Sequence, residues 1–196
     1  MSFNDWYFIG FILTIIGACI LWVLAFVVYR NDRKDYLHRA LAWTMIFMGL
    51  WLLSGFAEKI LPMPSDAFTL WTFRWAYASG VMTATLFLLF ALGLYLDRAP
   101  SKVAHRAIIA SGCCVAAFSL TPLVVKSASY SKGILESNTG SLFPLAASTI
   151  VIPSIASIYL ITKKWSRSSG IDRARTSVVL YGIIVFVPVF ADEVLW

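Results

Sequence analysis

Long uncharged apolar runs dominate the chain, and short segments between them carry most of its charge. A helix needs about 20 apolar residues to cross the roughly 30 Å hydrocarbon core of a bilayer. Six runs reach or approach this length, and with their flanks they predict helices over about 7–29, 40–60, 70–96, 107–125, 142–162 and 176–196. Backbone groups in lipid must bond within their own segment, which favours helices over an open sheet. The pattern therefore predicts an all-α polytopic membrane helix bundle.

Composition supports a chain without a soluble domain. Apolar residues make up 60% of the sequence, charged residues 13%, and the mean hydropathy is +0.79, all far from the averages of soluble domains. We therefore expect residues 1–196 to form a single transmembrane domain. Cys19, Cys113 and Cys114 lie inside apolar runs and have no CxxC spacing, so they predict neither a disulfide nor a metal site. No cofactor is expected.

Lys and Arg alternate between the connections and predict the orientation of the chain. The first, third and fifth connections hold twelve of them, whereas the second and fourth hold three, Lys59, Lys126 and Lys132. Short loops on the cytoplasmic side of a membrane carry an excess of Lys and Arg. The pattern predicts a multi-pass protein of the cytoplasmic membrane with its N-terminus outside. It also explains the net charge of +6 without a nucleic-acid partner.

An even number of spans that starts outside ends outside, which places Trp196 on the external face. We therefore expect the sequence to be a fragment whose continuation crosses the membrane once more. The outer stretch 126–141, rich in Ser, Gly and Asn, is interpreted as a loop long enough to be flexible or to cover an outer pocket.

The centre of the sequence carries a recognisable aromatic and small-residue pattern. It consists of Trp51, Trp71, Arg74, Tyr77, Gly80 and the run 87–91. This pattern resembles the N-terminal seven-helix sensor region of bacterial and archaeal histidine kinases. The resemblance implies a seventh helix, then a cytoplasmic output module such as a kinase, cyclase or phosphatase domain, and a homodimer.

Arg74 is a charge within an apolar helical context, and such residues are hypotheses for function. One interpretation is that its side chain snorkels to the outer interface. The other places it in an outward-opening cleft that binds a small anionic ligand or closes as an ion-pair gate, with acidic partners at the ends of the second and sixth helices. These partners are Glu58, Asp192 and Glu193. Tyr77 lies on the same helical face and could orient a ligand or pack.

Small residues recur every four positions on the third helix, at Ala76, Gly80 and Ala84. This spacing lets another helix approach closely. The fourth helix carries a similar stripe of Ala107, Ser111 and Cys114, so we predict that the third and fourth helices pack through these faces.

The function predicted is a signal-receiving membrane module whose partners are the bilayer and an unknown small molecule. A small transporter or channel subunit is the alternative, although the runs lack midplane charges or an inverted repeat. An intramembrane enzyme would need paired acids or a nucleophile with its base, and neither is visible. A retinal protein would need a Lys deep in a helix. His38 and His105 have no partner at metal spacing and are interpreted as solvated loop residues.

Overall fold

A computed structural model describes residues 3–60, 66–131 and 134–195, without the side chains of 3–9, 11, 56–60, 130–131, 134–135 and 183–195. Six helices and two strands follow in chain order. They are α1 (Phe3–Asn31), α2 (Tyr36–Ile60), α3 (Asp66–Leu96), α4 (Lys102–Ser119), β1 (Val125–Ser131), β2 (Ile134–Thr139), α5 (Phe143–Arg167) and α6 (Gly170–Leu195). The structure is 82% helical, so the all-α bundle is confirmed.

Among the described residues, four helical segments are long and apolar enough to cross a membrane. They are Ile12–Asn31, Tyr36–Gly55, Asp66–Leu96 and Phe143–Arg167. The α4 helix starts with Lys102, His105 and Arg106 and is shorter, which leaves it a smaller apolar part. Large apolar side chains such as Val23 and Phe26 are exposed on the surface of α1, where lipid would cover them.

The α3 helix lies at the centre of the bundle. It packs against α2, α4, α5 and the first strand, while α1 packs on α2 and α6 packs on α5. In the most apolar part of α3, 61% of the residues are buried, against 17% in α1, 22% in α2 and 22% in α5. Any element that moves α3 therefore touches most of the bundle.

The small-residue stripe of α3 is buried, as a packing face should be, and its Gly80 faces α2 and α5. A Cβ on Gly80 would lie 3.2 Å from the Trp51 ring and 3.3 Å from Ile150. Ala76 and Ala84 are also buried. Glycine at this position lets the indole of α2 lie against the α3 backbone.

The predicted contact face of α4 is wrong. Ala107, Ser111 and Cys114 are exposed. The helix instead turns Gly112 to α3, where an added Cβ would lie 2.5 Å from Thr85 Oγ1. The buried Gly112 marks the face of α4 that packs against α3. The stripe of Ala107, Ser111 and Cys114 did not identify this face.

A β-hairpin occupies most of the stretch that we interpreted as a loop. The α4 helix ends at Ser119, before the predicted end at 125. Pro122 has no backbone N–H and its ring clashes with a preceding helical turn, so the helix cannot continue through it. Beyond it, β1 and β2 pair antiparallel, with Val125 opposite Thr139. The base of the hairpin, Val124 and Val125, is buried against the starts of α3 and α5.

The connections divide the bundle into two ends. The hairpin end comprises the hairpin with the starts of α3 and α5. The basic end comprises the connections 32–35, 97–101 and 168–169 with the helix turns beside them. Because the connections at the basic end are short, consecutive helices joined there run antiparallel.

Candidate functional site

Arg74 is a buried cation near the start of α3, with only 7% of its surface exposed. Its Nε and Nη2 atoms both donate to the carbonyl oxygen of Val125, over 3.2 Å and 2.9 Å. The guanidinium carbon lies 5.9 Å from the centre of the Trp71 ring, one helical turn earlier. Burying a charge costs free energy unless the charge is hydrogen-bonded. These two hydrogen bonds meet that need and fix Val125, the first residue of β1, to α3.

An aromatic cluster lies one turn along α3 from Arg74. The Tyr77 ring is 5.4 Å from Phe73 and 5.5 Å from Phe143, the latter at an edge-to-face angle of 71°. Phe143 is the first residue of α5, and both rings flank the buried base of the hairpin. The cluster therefore joins the starts of α3 and α5 beside Arg74.

The structure brings some of the predicted site residues together. Arg74 and Tyr77 lie three residues apart on one face of α3, and the Arg74 guanidinium lies near the Trp71 ring. The side chains of Glu58, Asp192 and Glu193 lie outside the described residues, so an acidic partner for Arg74 stays a prediction. Sequence reasoning missed Val125, whose carbonyl accepts both hydrogen bonds. The available sequence signal was Pro122, which ends α4 early and leaves residues before α5 for another element.

The contacts that join α5 to α3 and α6 at the basic end run between side chains. Lys164 of α5 pairs with Asp97, which follows α3. Arg167 Nη1 donates to the hydroxyl of Tyr95 over 3.2 Å. Trp165 Nε1 donates to the hydroxyl of Ser177 on α6 over 2.9 Å. The end of α5 is thereby joined to the end of α3 and to the first turns of α6.

The two histidines are half-buried and lie in helices near the basic end, not free in loops. His105 Nδ1 lies 3.3 Å from the Tyr36 hydroxyl. His38 pairs with Asp35 just before α2. Partial burial alone would raise the pKa of the Asp35 carboxyl, but hydrogen bonds from His38 and the amide of Leu37 lower it. Within the described residues no group of three or more His, Cys, Asp or Glu is placed to hold a metal.

Comparison with protein families gives a match over most of the chain. The model of a family described as the N-terminal 7TM region of histidine kinase matches residues 13–193. The match covers most of α1 and α6, all of α2 to α5, the hairpin and the pattern around Arg74. No curated protein and no solved structure matches the chain.

Proposed function

Because the chain belongs to the family of N-terminal 7TM regions of histidine kinases, we propose that it senses a signal at the hairpin end and transmits it to a cytoplasmic output domain. The observation that carries this proposal is the double hydrogen bond from Arg74 to Val125. It ties the hairpin to α3, whose apolar part is the most buried of the four candidate spans in the described residues, so displacement of the hairpin displaces α3.

A continuous set of contacts leads from that bond to the basic end. From Arg74, α3 runs to Tyr95 and Asp97, which contact Arg167 and Lys164 at the end of α5. The hydrogen bond from Trp165 to Ser177 then leads into α6. Coupling between distant sites needs packed elements of this kind that both sites bias.

The proposal includes an orientation, with the N-terminus and the hairpin outside and the basic end in the cytoplasm. The positive charge of the connections supports it. Cysteine labelling tests it after Cys19, Cys113 and Cys114 are replaced by Ala. An impermeant maleimide added to intact cells should label Glu136→Cys in β2 and leave Lys34→Cys unlabelled until the cells are opened. The reverse labelling would contradict the orientation.

The stimulus we propose is a small polar or anionic molecule that binds near Arg74 and Tyr77. Glu58, Asp192 and Glu193 remain candidates for the acidic side of that cleft. A ligand that competes for the guanidinium would weaken its bond to Val125 and release the hairpin from α3. We further propose that the region acts as a homodimer, as histidine kinases do.

The sharpest experiment measures phosphorylation of the complete kinase that contains this region. Arg74→Met removes both hydrogen bonds and keeps an unbranched apolar side chain in place. We expect basal autophosphorylation in membrane vesicles, measured with radiolabelled ATP, to change by about fivefold or more, a typical size for coupling between sites. Arg74→Lys should have a smaller effect, because its ammonium retains the charge and can still donate to the Val125 carbonyl.

Lys126→Met is the matched control, since it removes an exposed cation from the residue next to Val125. Its autophosphorylation should stay within about twofold of the original, as for most surface substitutions. Arg74→Met protein that is present in the membrane at normal abundance and phosphorylates normally would show that the hairpin does not control the output domain.

A further inference from the structure

A cleft of about 540 Å³ opens at the basic end between α2 and α4, with α3 as its floor. The connection 97–101 closes one end through Ala99 and Pro100. Near this end the Tyr36 hydroxyl lies 3.4 Å from the Leu89 carbonyl oxygen and 3.3 Å from His105 Nδ1. Tyr36 and His105 therefore satisfy each other and form part of the wall.

The mouth of the cleft is positively charged. Arg39 of α2 and Lys102 and Arg106 of α4 line it, and all three are exposed. No ion pair within the described part of the chain neutralises them, and the lining contains no Asp or Glu. Both α2 and α4 begin at this end, so the positive ends of two helix dipoles add to the charge.

The rest of the cleft is apolar and extends towards the middle of the bundle. Trp43 and Phe47 of α2 face Ile109 of α4 across a floor that includes Met82 and Leu86. At a rise of 1.5 Å per residue, the wall from Arg39 to Phe47 is about 12 Å long. Trp43 is 49% exposed, so the apolar part opens sideways towards the bilayer.

We propose that this cleft binds an anionic phospholipid from the leaflet at the basic end. The headgroup phosphate lies between Arg39, Lys102 and Arg106, and one acyl chain lies along Trp43 and Met82. The order of the groups carries the inference, because a cationic mouth at the helix ends followed by an apolar groove matches a lipid in its bilayer orientation. A water-soluble phosphate would leave the apolar part unused. The proposal does not depend on the sensing function.

The test uses the intact protein in nanodiscs that contain equal amounts of phosphatidylglycerol and phosphatidylcholine. Native mass spectrometry then counts the lipids that stay bound after release from the disc. We expect phosphatidylglycerol to be retained over phosphatidylcholine by about tenfold, equivalent to about 1.4 kcal/mol, because the three cations attract an anionic headgroup. The variant Arg39→Gln/Lys102→Gln/Arg106→Gln should abolish this preference.

The control variant Arg30→Gln/Lys34→Gln/Arg175→Gln removes the same charge from exposed positions at the basic end outside the cleft. It should keep the preference within about twofold, a surface-sized effect. Equal loss in both triple variants would overturn the proposal in favour of diffuse surface attraction.

Met82→Trp separates a lipid from a free anion, since it fills the apolar groove and leaves all three cations. It should lower retention of phosphatidylglycerol severalfold, with the melting temperature showing that the protein remains folded. Unchanged retention would mean that only the headgroup is bound and would overturn the acyl-chain site. The same mass spectra report the oligomeric state. If the protein were a dimer and only the cleft variants became monomers, the cleft would bind a second copy of the chain, and the proposal would be overturned.

Discussion

The hairpin is held to the bundle by hydrogen bonds to backbone atoms, whereas the contacts that join α5 to α3 and α6 at the basic end run between side chains. Arg74 donates to the Val125 carbonyl, and Gly140 N–H donates to the Val124 carbonyl over 2.8 Å. At the basic end, Asp97 is 74% exposed in its pair with Lys164. A backbone atom in a packed turn has no rotamer to change, but a surface side chain has several. The hairpin end should therefore tolerate far less change.

This difference fits the sensing at the hairpin end that we propose. A rigid cap converts a small displacement into movement of α3, because packed elements do not deform continuously. Adaptable pairs at the other end let α3, α5 and α6 settle in a second arrangement without leaving buried charges unpaired. Each prediction below tests whether the two ends differ in this way.

Gly140→Ala should have the largest effect. A Cβ there would lie 2.1 Å from the Leu123 carbonyl oxygen and 2.6 Å from that of Pro122. Neither atom can move without breaking the turn that leads into α5, so we expect a loss of about 3 kcal/mol or more of unfolding free energy. Chemical unfolding in detergent measures it. Gly182→Ala is the control, since nothing lies within 4 Å of its Cβ position. Equal stability of the two variants would remove the claim of a rigid hairpin end.

Arg74→Met should rank second. It leaves the buried carbonyl of Val125 without this donor, which costs about 1–3 kcal/mol. The loss should be local, so hydrogen–deuterium exchange should accelerate at the amides of 125–139 and not at those of α1. Arg74→Lys should fall between, because its ammonium cannot reproduce the planar pair of donors. Unchanged exchange in the hairpin would show that Arg74 does not hold it.

Gly93→Ala brings the same kind of insertion to the basic end with a smaller penalty. Its Cβ would lie 2.8 Å from Tyr36 Cε1 and 2.9 Å from Leu37 Cδ2, and both atoms belong to side chains that can rotate. A helical glycine replaced by alanine also gains up to about 1 kcal/mol in helix propensity. We expect a net loss below about 1 kcal/mol in the same unfolding assay. A loss as large as that of Gly140→Ala would erase the contrast between the ends.

The sequence predicted the helical bundle because lipid-length apolar runs permit little else. It also identified Arg74 and the buried stripe around Gly80, since a charge or a repeat of small residues stands out in such runs. The hairpin was missed because Ser, Gly and Asn are typical of loops, and strand pairing depends on partners distant in sequence. The partner of Arg74 is a backbone carbonyl oxygen, and every residue has one, so the residue type of Val125 did not predict this contact. The prediction of the packing face of α4 was wrong because that face depends on the fit of Gly112 against Thr85. The spacing of small residues does not predict such a fit of shapes.

Asp97 should give the smallest effect and separates charge from backbone strain. It has a φ of 53°, a left-handed conformation that glycine adopts freely and asparagine tolerates. Asp97→Asn removes the ion pair with Lys164 and keeps the conformation, so it should cost less than about 1 kcal/mol, as exposed pairs do. Asp97→Gly also removes the pair but relieves the strain, and it should be as stable as the original or slightly more so. Asp97→Ala loses the pair without that relief and should be the least stable of the three. If Asn and Gly instead lowered the melting temperature equally and strongly, the ion pair would be a fixed element, and the basic end would resemble the hairpin end in rigidity.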